Sequence, residues 1–304
     1  MKENLHLIRE RFPHYTKQEK DTQVRHFYNF SDELSETHYE RMVAIIFEAL
    51  DQKKYFPILR VCHGEFTLCV GRAVPKGLRR KINFFIKTIL RNTGLMAKIS
   101  YNGKKNDGFS REKLEGKDFK KIRRIWTSAA QSISKKGLIA PAFNDRHTYL
   151  EYTDKMMKFF RENKITFNAE NYFTFFGVYA FLAGPDFEKA VKGRNIVAVT
   201  WLDEMRRSGL EKAFRSMGAA NVDFIEVSPH TAVLETIDPS QLPHAPDIAL
   251  FGCGLGSAPL IDQFKNQKTV CIDAGFILDM FANQSLRGKR VWTFPDNLYG
   301  ALSK

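Results

Sequence analysis

Residues 195–227, NIVAVTWLDEMRRSGLEKAFRSMGAANVDFIEV, contain a strand, a helix and a second strand. The apolar, β-branched run 195–201 has the composition of a buried strand, 203–217 reads as a helix, and 222–227 is again strand-like. A helix between two such strands is a crossover, so the strands run parallel. Downstream the rhythm continues with a strand at 247–252, a helix at 257–264 and a strand at 269–273. Upstream, Phe56-Pro57-Ile58-Leu59-Arg60-Val61-Cys62 is a short apolar run that breaks at His63-Gly64-Glu65, a buried strand ending in a turn. The expected fold is α/β: a Rossmann-like, mostly parallel sheet with flanking helices, whose ligand sits beyond the strands' carboxyl ends.

Between the first strand and the later ones lies a helix-rich stretch, about 75–185, that reads as an insertion within a single domain spanning 1–304, with the Rossmann-like half at about 195–295. A helix is expected over 31–54, capped by Ser31-Asp32-Glu33, and another over 78–89. Residues 102–108 form a polar loop. Residues 118–134 make a basic amphipathic helix with Phe119, Ile122, Ile125, Trp126 and Ala129 on one side and Lys120, Lys121, Arg123 and Arg124 on the other. Helices follow at 146–162 and 170–182, and a last strand at 290–294.

With 304 residues and 43% hydrophobic content the chain can bury a large core. The first residues are charged throughout and lack a signal-peptide pattern, which predicts a cytoplasmic protein. The most apolar window, 172–184, is about 13 residues long, short of the roughly 20 needed to span a bilayer, and reads as a buried core helix. The four cysteines (Cys62, Cys69, Cys253, Cys271) are dispersed without C-x-x-C, against a zinc site or a disulfide framework. The net charge of +13 favours phosphate-bearing ligands, anionic lipid or nucleic acid as partners. No helix-turn-helix, zinc-finger or RNP pattern supports nucleic-acid recognition, which stays as an alternative on charge alone.

Two turns carry candidate chemistry. In Leu250-Phe251-Gly252-Cys253-Gly254-Leu255-Gly256-Ser257, glycines alternate between a strand and a helix, and Asp273 ends the next strand. Such a turn lets backbone approach a nucleotide, with helix N-terminal amides facing phosphate and the acid accepting ribose hydroxyls. Alone it resembles motif I of S-adenosylmethionine methyltransferases or, less well, a dinucleotide fingerprint, although its late position leaves too few strands after it for either; a tight turn without a ligand is the plain alternative. In the other turn, His63 and Glu65 flank a glycine and could reach one ligand or divalent ion.

The stretch Ile58-Leu59-Arg60-Val61-Cys62-His63-Gly64-Glu65-Phe66 resembles the Arg-Phe-Gly-Asp-Gly-Glu-Phe opening of GT-D-type glycosyltransferases. Phe224-Ile225-Glu226-Val227-Ser228-Pro229 with Thr231-Ala232 is similar to that family's strand and Pro-containing loop. The glycine turn followed by Ile272-Asp273-Ala274-Gly275 resembles its closing Ile-Asp-x-Gly, and Asn144-Asp145-Arg146-His147-Thr148-Tyr149 stands where the family has a Ser/Thr-Arg-Pro-Tyr-like segment. The resemblance implies transfer of a sugar from a nucleoside diphosphate sugar to a bacterial surface glycan, lipid-linked or glycoprotein acceptor. It also implies a divalent ion (Mn2+ or Mg2+) on an Asp-x-Glu pair, here His63 and Glu65. The family's Asp is His63 in this chain and its following His is Phe276, which puts metal dependence in question because histidine adds no negative charge.

On that reading Arg60, His63, Gly64, Gly252, Gly254, Gly256, Ser257 and Asp273 bind the donor, while Glu65 or Asp279 takes the acceptor proton. Asp279, on a helix at 275–284, also reads as an ordinary exposed helix acid. The basic helix at 118–134 is a solvated face or a surface resting on anionic lipid at the inner face of the membrane.

Overall fold

The computed structural model describes residues 36–71, 117–142, 150–173 and 175–283, together with positions 82, 85 and 86. The expected cap at 31–33, the loop at 102–108, the segment at 144–149, the strand at 290–294 and most of the helix at 78–89 lie outside the described residues. Ile82, Phe85 and Ile86 are helical and exposed.

The described elements run α1 (Glu36–Asp51), β1 (Phe56–Val61), α2 (His63–Val70), α3 (Lys117–Ser134), β2 (Leu138–Pro141), α4 (Leu150–Glu162), α5 (Phe175–Ala183), α6 (Pro185–Val191) and β3 (Asn195–Thr200). The chain continues through α7 (Glu204–Ser216), β4 (Asn221–Glu226), β5 (Ile248–Gly252), α8 (Ser257–Asp262), β6 (Val270–Asp273) and α9 (Ile277–Ala282). The six strands form one sheet in the order β2-β1-β6-β5-β3-β4, parallel throughout. Every residue of β1, β2, β5 and β6 is buried, as expected of a parallel sheet covered on both faces.

The handedness of crossovers sorts the helices. From β1 to β2 and from β5 to β6 the chain steps in the same direction, so right-handed connections place α3 and α8 on one face, where they pack together. From β3 to β4 it steps the other way, which puts α7 on the opposite face with α9. A cluster of Phe rings joins that second layer: Phe187 lies 5.7 Å from Phe181 and 5.8 Å from Phe281, and Phe281 lies 5.4 Å from Phe214.

Three features depart from the sequence reading. The strand β2 falls inside the stretch read as a helical insertion and pairs with β1 from Ile58↔Leu138 onward. The residues His63-Gly64-Glu65 are the first turn of a helix, not a strand-end turn: Cys62 is its N-cap, and the Glu65 carboxylate accepts the Cys62 backbone N–H at 2.9 Å. A short helix, α6, begins on Pro185, where a missing N–H costs nothing. Pro57 is accommodated in a central strand because the Phe56 N–H goes to Thr269 on the β6 side, leaving the next N–H position facing the neighbour whose ladder begins one residue later. The expected core helix at 172–184 is present as α5, and all four cysteines are free. Among the described residues no helix is long and apolar enough to cross a membrane.

Candidate functional site

Because β1 and β6 are neighbours in the sheet, residues 213 apart in sequence meet at its carboxyl edge. Arg60 is 5% exposed, and its Nε donates to the Asp273 backbone oxygen at 2.6 Å while Nη2 reaches Asp273 Oδ1 at 3.4 Å. The guanidinium also lies over two rings of α5, 4.3 Å from the centroid of Tyr179 and 4.8 Å from that of Phe175. The Ser257 hydroxyl donates to the same Asp273 oxygen at 3.1 Å. Arg60 Nη1 is buried and has no hydrogen-bond partner among the described residues, an atom that a ligand oxygen could satisfy.

Glu65 joins this cluster from the first turn of α2. Burial pushes its carboxyl up to about 7, and the nearby Asp273 charge adds to the rise; the Cys62 N–H opposes it. Asp273 is likewise held above the ordinary carboxylate range by burial, against the pull of Arg60 and Ser257. For Arg60, burial acts to lower the affinity for the proton, but Tyr179, Asp273 and Cys62 outweigh it, so the group remains a cation. Burial and the neighbouring Glu65 push the Cys62 thiol well above its ordinary range, so it is no thiolate nucleophile. A buried cation thus stands beside the Asp273 carboxyl, and Asp273 in turn acts on the Glu65 carboxyl, which is held at about 7.

The glycine turn comes to the same edge. A Cβ on Gly64, in α2, would be 3.5 Å from the Leu255 side chain, so the first turn of α2 and the turn at 252–256 are in contact range although almost 190 residues separate them. The turn's glycines serve the fold first. Gly254 has φ +54°, and a Cβ on Gly256 would stand 2.7 Å from that of Ala232. A side chain at either position is therefore a test of packing as much as of ligand approach.

Gly275 combines both requirements, a left-handed backbone and a crowded Cβ position. Its φ is +51°, and a Cβ there would lie 1.9 Å from Arg60 Nη2. Gly275→Ala is expected to lower the melting temperature more than Gly193→Ala does. Gly193 shares the left-handed backbone (φ +72°) but has nothing within 4 Å of its Cβ position. Equal losses in the two variants would mean that Arg60 moves aside freely and is not fixed by this packing.

A second group lies beside the first. Arg206 of α7 is buried, rests 4.6 Å above the Trp201 ring, donates through Nη2 to Thr200 Oγ1 at 3.2 Å and forms an ion pair through Nη1 with Asp279. Asp279 is therefore the counter-ion of a buried arginine, a structural task contained in neither sequence reading. The sequence reading also missed Tyr179, Phe175, Arg206 and Trp201. A hydroxyl inside the otherwise apolar run FFGVYAFLA was the available signal for Tyr179.

The divalent-ion reading rests on His63 and Glu65, both in the first turn of α2. One Glu65 oxygen accepts the Cys62 N–H and caps α2. Among the described residues no three of His, Cys, Asp or Glu come together to hold a metal ion. Hard cations of this kind take about six oxygen ligands, several of them from water or phosphate; of the acids at this edge, Glu65 caps α2 and Asp273 pairs with Arg60.

No protein-family model matches the chain, and no curated protein matches it. A solved structure described as "The highly conserved domain of unknown function 1792 has a distinct glycosyltransferase fold" is similar to it, with 13% identity, a TM-score of 0.42, and coverage of 79% of this chain and 82% of that one. The strand order above rests on the register of this chain's own sheet.

Proposed function

We propose that the chain is a glycosyltransferase of the GT-D type, a single transferase domain that moves a sugar from a UDP-linked donor to a hydroxyl of a surface-glycan or glycoprotein acceptor. One observation carries the reading: three of the stretches that bear the resemblance meet at one sheet edge, around the buried Arg60–Asp273 pair. The carboxyl edge of a parallel sheet is where nucleotides bind in such folds.

In the reaction, the acceptor oxygen forms a bond to the anomeric carbon as the bond from that carbon to the diphosphate oxygen breaks. The bonding pair leaves with the diphosphate, whose charge Arg60 offsets from a site largely closed to water. The hydroxyl proton passes to Glu65, whose carboxyl at about 7 is matched to a base working near neutral pH. No step is assigned to a metal ion.

The second reading, an S-adenosylmethionine-dependent methyltransferase, draws on β5, the glycine turn, α8 and β6 with Asp273 at its end. Against it, Asp273 Oδ1 already holds Ser257 and Arg60, leaving less of the carboxylate for ribose hydroxyls. Thermal shift separates the two. UDP at about a hundredfold its Kd is expected to stabilise the fold by roughly 2.7 kcal/mol, and S-adenosylhomocysteine to leave it unmoved. Stabilisation by S-adenosylhomocysteine alone would replace the transferase reading with the other.

A further inference from the structure

We propose that α3 and α4 together form a docking surface for an anionic lipid bilayer. The two helices lie side by side: Arg123 sits 5.0 Å over the Phe159 ring, the Gln131 side-chain amide donates to the Asn163 carbonyl, and Ser134 Oγ accepts the Thr166 N–H at 3.0 Å. Of the exposed described residues on these helices, seven are Lys or Arg and two are acids, Asp154 and Glu162. Glu162 lies 3.6 Å from Lys158, and the described exposed residues of the two helices still carry five more basic than acidic side chains, of which Arg123, Lys155 and Lys158 line one cleft. Clusters of four to eight basic residues on an amphipathic helix are the chemistry that anionic headgroups bind.

A cleft within this face distinguishes lipid from other polyanions. The last turn of α2 and the two helices line an open cleft of about 460 Å3, with Leu68, Phe119 and Phe159 among its apolar residues and Arg123, Lys155, Lys158 and Glu162 as its charged ones. With three cations against one acid, it suits a phosphate headgroup. A nucleic acid would bring bases that need exposed rings to stack on, whereas Phe159 is 3% exposed and lies beneath Arg123.

A separate part of the chain has the matching composition. Ile82, Phe85 and Ile86 are helical, spaced as one face, and 49%, 55% and 48% exposed; Arg79, Arg80, Lys81 and Lys87 flank them in sequence. Large apolar side chains on one face with basic neighbours are the mark of a helix that lies in a bilayer interface. No feature of the sugar-transfer reading is needed for this surface.

The test is sedimentation of the full-length chain with phosphatidylcholine vesicles, with and without phosphatidylglycerol. Binding is expected only to the phosphatidylglycerol vesicles, and it should weaken steeply as salt shortens the Debye length. Lys120→Glu/Lys121→Glu/Arg124→Glu, three exposed changes that spare Arg123 on Phe159, should reduce binding at least tenfold at an unchanged melting temperature. Ile82→Ser/Ile86→Ser should remove the part of the binding that survives added salt. Equal binding to both vesicle types, undiminished binding by the triple variant, or stronger retention of a single-stranded oligonucleotide than of the vesicles would each overturn the proposal. So would salt-independent self-association that competes with vesicle binding, since the face would then join two copies of the chain.

Discussion

Glu65→Gln is expected to lower sugar transfer by about two orders of magnitude and, above pH 7, to raise the melting temperature. The two effects share a cause. The folded state holds the Glu65 carboxyl at about 7 against an ordinary 4.5, mainly through burial, so between those values the folded chain binds more protons than the unfolded one. Stability therefore falls as pH rises from about 4.5 through about 7, and above that the ionised group is a standing cost on the order of 3 kcal/mol. Glutamine retains an oxygen to accept the Cys62 N–H and removes the charge, so the variant should gain several degrees over the parent at pH 8 and much less at pH 5. In the parent, kcat/KM should climb with pH and level off above about 7, because the base must be ionised. Near-normal turnover in the variant, or a flat profile across that range, would take Glu65 out of the chemistry.

Asp273→Asn is the other large expected effect, this time on stability. Arg60 is a buried cation whose counter-charge is Asp273, at 3.4 Å, and removing one member of a buried pair leaves the other uncompensated. Such a loss costs about 3–5 kcal/mol, on the order of 10 °C in a chain of this size. The amide can still face Ser257, so packing alone predicts far less. Arg60→Met in the same chain should recover part of the loss, because the stranded charge is gone. Additive losses in the double variant would show that the two residues act independently.

Part of the site was legible because it follows from local pattern. The strand at 56–61, the glycine turn after β5 and the acid ending β6 are each announced by residues next to them, and a parallel sheet puts all such ends on one edge. The helix at 175–183 was legible as core from its apolar run. The strand at 138–141 was not, because four residues between helices give no alternation to read. Nor was the helical start at His63, since a glycine between two polar residues looks like a turn until Glu65 is seen capping Cys62.

By itself, then, the sequence determined that this is a parallel α/β chain with chemistry at strand ends, because burial and crossover rules act within some 30 residues of chain. Tertiary structure decided which ends meet. The order β2-β1-β6-β5-β3-β4 sets Arg60 against Asp273, brings Tyr179 and Phe175 onto the guanidinium, and ties Asp279 to Arg206. Those pairings depend on contacts up to 213 residues apart, and no local spacing encodes which strand lies beside which. The protonation of Glu65 is decided there too, because desolvation is a property of the assembled cluster and not of any one segment.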